Sequence, residues 1–114
     1  MAFHGYKYKF NLYAAHSNMS YGGTDTHFHN FTITLYVNSI NKQVDENYNL
    51  ENVVNEWLQK YRNRPLHEFE IFNGKETSIE SMGDTFYDHL CELIENEEYE
   101  LIRLDIEENP IRSY

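Results

Sequence analysis

Three histidines are the residues of this chain whose types and spacing suggest chemistry. His27 and His29 stand two apart at the head of a stretch that alternates with period two, so both belong to the same face of a strand. Neighbours on one strand face are roughly 6.5 to 7 Å apart at the backbone, a spacing from which two imidazoles can converge on one ion. His16 closes the apolar parity of an earlier alternating stretch, Tyr8, Phe10, Leu12, Ala14 and His16. If the two stretches pair as an antiparallel hairpin, all three imidazoles gather at one end of one sheet face. Three imidazoles with a fourth position open is the ligand count of a catalytic zinc site, whereas structural zinc is closed by four protein ligands. The plain alternative is that the histidines simply end and begin strands. Residues 17–26, between the two stretches, form a polar loop longer than an ordinary hairpin turn. Its Asp25 or Tyr21 is placed to act as a base or to orient an imidazole; equally, Gly22 and Gly23 supply a turn and Asp25 is solvated. Asp88 and His89 are adjacent on a helical pattern, and neighbours there diverge by ~100°, so they read as helix surface rather than a catalytic pair.

The elements that must hold these residues are legible in the patterning. Tyr6 to His16 and residues 27–37 are strands, and residues 38–48 are polar and turn-rich. Leu50, Val53, Val54, Trp57, Leu58 and Tyr61 then recur at helical spacing, with Asn49 as the expected N-cap. Pro65 and Gly74 mark residues 62–75 as loop, with a short extended piece at 69–72. Thr77, Ser78, Ile79 and Glu80 read as a capping box, opening a second helix striped by Ile79, Met82, Phe86, Leu90, Leu93 and Ile94. Residues 100–107 alternate again, with Ile102, Leu104 and Ile106 expected on one buried face. Pro110 breaks that ladder, and residues 111–114 are a candidate short edge strand. The order predicts an α+β fold, one antiparallel four-stranded sheet with two helices on one face. Lys7, Lys9, Asn11, Asn30, Thr32 and Thr34 fall on the other face.

At 114 residues the chain reads as a single domain, 1–114. Nine basic against nineteen acidic residues give a net charge of −10, which argues against nucleic acid and membrane surfaces as partners. One cysteine, Cys91, excludes an internal disulfide, and with no signal pattern at the N-terminus the expected location is the cytoplasm.

These motifs resemble the 6-pyruvoyltetrahydropterin synthase family, which includes the 6-carboxytetrahydropterin synthases. The sequence from Phe10 to His16 resembles the family's F-x-x-A-A-H with one residue more before the alanines, and His27-Phe28-His29 its His-Gly-His. Ser78-Ile79-Glu80 and Glu107-Glu108-Asn109 are similar to its Pro-Thr-x-Glu and terminal Glu-Thr segments. The resemblance implies the tunnelling fold, with subunit sheets joined into a barrel in a homo-oligomer, usually a hexamer. It implies His16, His27 and His29 as zinc ligands and Glu108 as the anchor of a pterin ring. The activity implied is that of a zinc-dependent carbon–oxygen lyase acting on 7,8-dihydroneopterin triphosphate or a related pterin. Three parts of the family pattern are not matched, the first being Phe28 in place of the glycine of His-Gly-His. Gly23 stands where the family has its catalytic cysteine, and the segment holding its Asp-His pair falls on residues 67–73. Asp25, Tyr21, His67 and Glu68 are the available replacements, and the alternative is a member that binds zinc and a pterin-like heterocycle without turnover. For the triphosphate, the basic clusters are Lys60, Arg62 and Arg64, which equally suit a solvated helix end, and Lys7 with Lys9.

Overall fold

The computed structural model describes residues 5–16, 27–39, 48–72, 78–108 and 112–113. Strands β1 (Tyr6–His16) and β2 (His27–Ser39) pair antiparallel along the whole of β1, from Tyr6 opposite Val37 to His16 opposite His27. Alternation decides which faces are dry. Phe10, Leu12 and Ala14 of β1 and Phe31, Ile33, Leu35 and Val37 of β2 are buried, while Lys7, Lys9, Asn11, Tyr13 and Asn30 are exposed on the opposite parity.

Helices α1 (Tyr48–Gln59) and α2 (Ile79–Glu95) bring apolar stripes to that dry face. Leu50, Val54 and Leu58 from α1 join Met82, Phe86, Leu90 and Ile94 from α2 and the inward residues of the sheet in one core. Its aromatic centre is Phe86, which meets Trp57, Tyr61 and Phe72 with ring centroids 5.4, 5.5 and 5.7 Å away. Strand β3 (Tyr99–Glu108) lies antiparallel to β2, and a two-residue strand, β4 (Arg112–Ser113), pairs with its end. The fold is thus α+β, an antiparallel sheet with two helices.

Several local expectations are corrected. Asn49 is not the N-cap of α1, because the helix already begins at Tyr48. The cap of α2 is Ser78, whose hydroxyl accepts from the Ser81 N–H at 3.3 Å, rather than a box from Thr77 to Glu80. Residues 69–72 do not form an extended piece; 3-10 turns occupy Leu66–Glu68 and Glu70–Phe72. Phe69 packs on Tyr61 and Phe72 on Phe86, and a spacing of three brings both rings inward where a strand period of two would part them.

The largest correction is in β3. Tyr36 pairs with Arg103 but Val37 with Leu101, so Ile102 is an extra residue, a β-bulge. Tyr99 and Leu101 face the core before it and Ile106 and Glu108 after it, while Ile102 itself is exposed. The uniform face expected from Ile102, Leu104 and Ile106 therefore does not exist, because the bulge exchanges the two parities.

Candidate functional site

The hairpin register assembles the histidines. His16 is the cross-strand partner of His27, and Ala14 that of His29, so the backbone sets all three on one parity at one end of the sheet. The side chains of His16 and His27 lie outside the described residues. That of His29 is half-buried, its ring edge-on to Phe31 at 6.3 Å.

Glu108 reaches the same place from β3. It is the register partner of Phe31, two residues along from His29, and its Oε1 lies 3.9 Å from His29 Nε2. At 7% exposure this carboxylate is buried, which a protein accepts only where the group has partners or a task. The bulge decides that it is Glu108 and not Glu107. On the parity of Tyr99 and Leu101, an unbroken strand would turn Glu107 toward the histidine face and Glu108 away. Sequence alternation alone does not reveal this; its trace in the sequence is that two apolar residues, Leu101 and Ile102, stand side by side in an otherwise alternating run.

The segment after α1 runs along the outer edge of β1. Asn63, in the left-handed region at φ 62, donates its N–H to the Tyr13 carbonyl at 2.6 Å. The Ala15 N–H then donates to the Arg64 carbonyl at 3.1 Å, and Pro65 forms a parallel bridge with Ala15. Arg62 Nη1 donates to the Asn11 carbonyl, and its Nη2 to Asn55 Oδ1 at 3.3 Å. This strap delivers the turn Leu66–Glu68, and with it His67, to the chain beside the His16 end of β1. The His67 side chain lies outside the described residues. Glu68 does not join His29 and Glu108. It is exposed, and its Oε1 pairs with Arg64 Nη2 at 3.4 Å. Asp25, Tyr21 and Gly23 lie outside the described residues.

The basic residues after α1 each engage a group within the chain, with Lys60 and Arg64 exposed to solvent. Lys60 sits 5.3 Å from the ring centres of both Trp57 and Tyr61, Arg64 lies over Phe69 at 4.9 Å, and Arg62 holds the strap. On the polar sheet face, Lys7 and Arg103 flank the Tyr36 ring at 5.4 and 5.2 Å. Among the described residues no three His, Cys, Asp or Glu side chains form a metal-holding group.

Cys91 cannot substitute for a thiol at this site. It shares a depression with Tyr99, at the start of β3, and about 30 Å of strand separates that end from Glu108. Burial also pushes its thiol up, away from the reactive thiolate.

A profile of 6-pyruvoyl tetrahydropterin synthase matches residues 5–114, a span that includes every strand and helix described above. The chain belongs to the 6-pyruvoyl tetrahydropterin synthase family. No curated protein matches the sequence. Among solved structures, the 6-pyruvoyl tetrahydropterin synthase of Caenorhabditis elegans is similar at a TM-score of 0.78 and 17% identity, over 96% of this chain and 91% of that one. At that identity the likeness speaks for the fold. Within the synthase family's fold, backbone register brings His16, His27, His29 and Glu108 to one end of the sheet. No helix is long and apolar enough to cross a membrane among the described residues.

Proposed function

We propose that this chain is a zinc-dependent pterin enzyme resembling the 6-pyruvoyl- and 6-carboxytetrahydropterin synthases, a lyase acting on 7,8-dihydroneopterin triphosphate or a related pterin. The observation that carries this reading is the approach of Glu108 Oε1 to His29 Nε2 at 3.9 Å, at the end where His16 and His27 are in register. The donor set fits zinc: His16, His27 and His29 would hold the ion on one parity and leave a position open. Bound there, zinc supplies Lewis acidity that lowers the pKa of side-chain hydroxyls on the substrate. Glu108 orients the ring, because a carboxylate accepts from the ring N–H and the amino group of a pterin as a bidentate pair. The proton-moving groups are drawn from Asp25, His67 and Glu68. Glu68 would have to leave Arg64 to take part.

The single domain 1–114 joins others through its sheet edges in this reading, as a cytoplasmic homo-oligomer of hexameric type. Two features support that. The strap covers β1 only from Asn11 to Ala15, and among the described residues β4 covers β3 only at Glu107 and Glu108.

A second reading, a member that binds zinc and a pterin without turnover, is favoured by the Glu68–Arg64 pair and by the distance of Cys91 from the site. One experiment separates the two. Zinc-loaded protein is incubated with 7,8-dihydroneopterin triphosphate, the product is identified by mass, and zinc is measured in the same sample. A pyruvoyl- or carboxy-tetrahydropterin product supports the enzyme, and His29→Ala then loses both metal and turnover. Tight zinc and pterin binding with no product supports the binder. Turnover retained in a metal-free His29→Ala protein overturns the zinc reading.

A further inference from the structure

We infer that Arg62 is a positioning residue for the metal end of the sheet, acting through the strap it fastens to β1; the inference rests on the zinc reading above. The ligand His16 is the last residue of an edge strand, where a chain end ordinarily frays. Here the outer edge of that end is closed from within the chain. The Ala15 N–H, one residue before the ligand, is held by the Arg64 carbonyl at 3.1 Å, and the Tyr13 carbonyl is held by Asn63 at 2.6 Å.

These two backbone bonds depend on the course of residues 62–65, and Arg62 sets that course. Its guanidinium bridges the Asn11 carbonyl on β1 and the Asn55 amide oxygen on α1. The planar fork of arginine suits two acceptors on different elements, which a shorter or neutral side chain cannot reach together. The opposite side of β1 is fixed by β2, so the strap leaves the backbone at Ala15 paired on both sides. Groups that orient metal ligands from behind commonly contribute ten- to a hundred-fold in affinity. Arg62 does so here through the backbone, without touching the ion.

The test uses the full chain, native and as Arg62→Gln, Arg62→Lys and Ile94→Val. Zinc affinity is measured by competition with a chromophoric chelator, and exchange of the Ala15 amide hydrogen by NMR. Arg62→Gln is expected to weaken zinc about tenfold and to speed Ala15 exchange, with Arg62→Lys recovering part of both. Ile94→Val removes one methylene group from the core at the last turn of α2 and reports general destabilisation, so its zinc affinity is expected to stay native. Arg62→Gln protein that binds zinc as tightly as native overturns the inference and leaves the zinc reading standing. Equal weakening in Arg62→Gln and Ile94→Val also overturns it, since the effect is then only stability. Native protein that binds no zinc overturns the zinc reading, and the inference falls with it.

Discussion

Glu108, the pterin anchor in the proposed reading, is a carboxylate in a nearly dry position beside His29. Replacing it with glutamine keeps the size and removes the negative charge and one acceptor. A hydrogen bond to a charged group contributes about 1.5–3 kcal/mol, so Glu108→Gln is expected to weaken pterin binding by roughly 10- to 100-fold. Zinc binding stays within a few-fold of native, since the imidazoles are untouched. Titration calorimetry with a pterin, and separately with zinc, checks the split; equal loss of both would make Glu108 part of the metal's own support. The identity of this residue was legible in the motif at the chain's end. Its orientation was not, because that depends on an extra residue six positions earlier in β3.

At the scale of the element, helix and strand periods were easy to read and their ends were not. Apolar spacing located α1 and α2 because burial of one stripe is worth more than any single terminal bond. Which residue caps a helix is decided by geometry of about 1 kcal/mol, small enough for the neighbouring loop to overrule. Ser78→Ala is accordingly expected to lower stability by ~1 kcal/mol, seen as a shift in the urea midpoint. The bulge and the strap belong to the same scale. Both arise where strand pairing and core packing compete, and neither has a period that sequence alternation can carry. The strap was expected as plain loop, yet it supplies a third strand-like edge to the hairpin that bears the histidines.

At the scale of the whole molecule, stability and assembly each offer a test. Burial pushes the phenol of Tyr61, only 1% exposed, up to about 12 from its ordinary 10. Below pH 10 both folded and unfolded chains keep this proton, so its contribution is fully present; above 10 the unfolded chain loses it first, and stability falls until the folded phenol ionises near 12. Tyr61→Phe is expected to flatten the alkaline fall in stability between pH 10 and 12 by about 2 kcal/mol, read from urea unfolding at successive pH values. For assembly, Lys9 shares the outward backbone parity of Asn11, Tyr13 and Ala15 but lies beyond the strap. Lys9→Pro removes an edge donor while an edge strand tolerates the ring. Sedimentation is expected to show a smaller species than native, and native-size oligomers from this variant would place the joint elsewhere.

The sequence by itself determined the α+β class, the two helical stripes, the hairpin parity of His16, His27 and His29, and the family. Those properties are periodic or local, and hydrophobic burial enforces them wherever the chain is read. Tertiary structure alone decided that Glu108 faces His29, that residues 62–65 close the edge of β1, and that Glu68 and the basic residues after α1 engage partners within the chain. The first two follow from contacts between segments distant in sequence, whereas the Glu68–Arg64 and Lys60–Trp57 pairings are local and follow from how the chain turns after α1. One inserted residue can reverse which side chains face inward, and a single arginine can join a helix to a strand about fifty positions away.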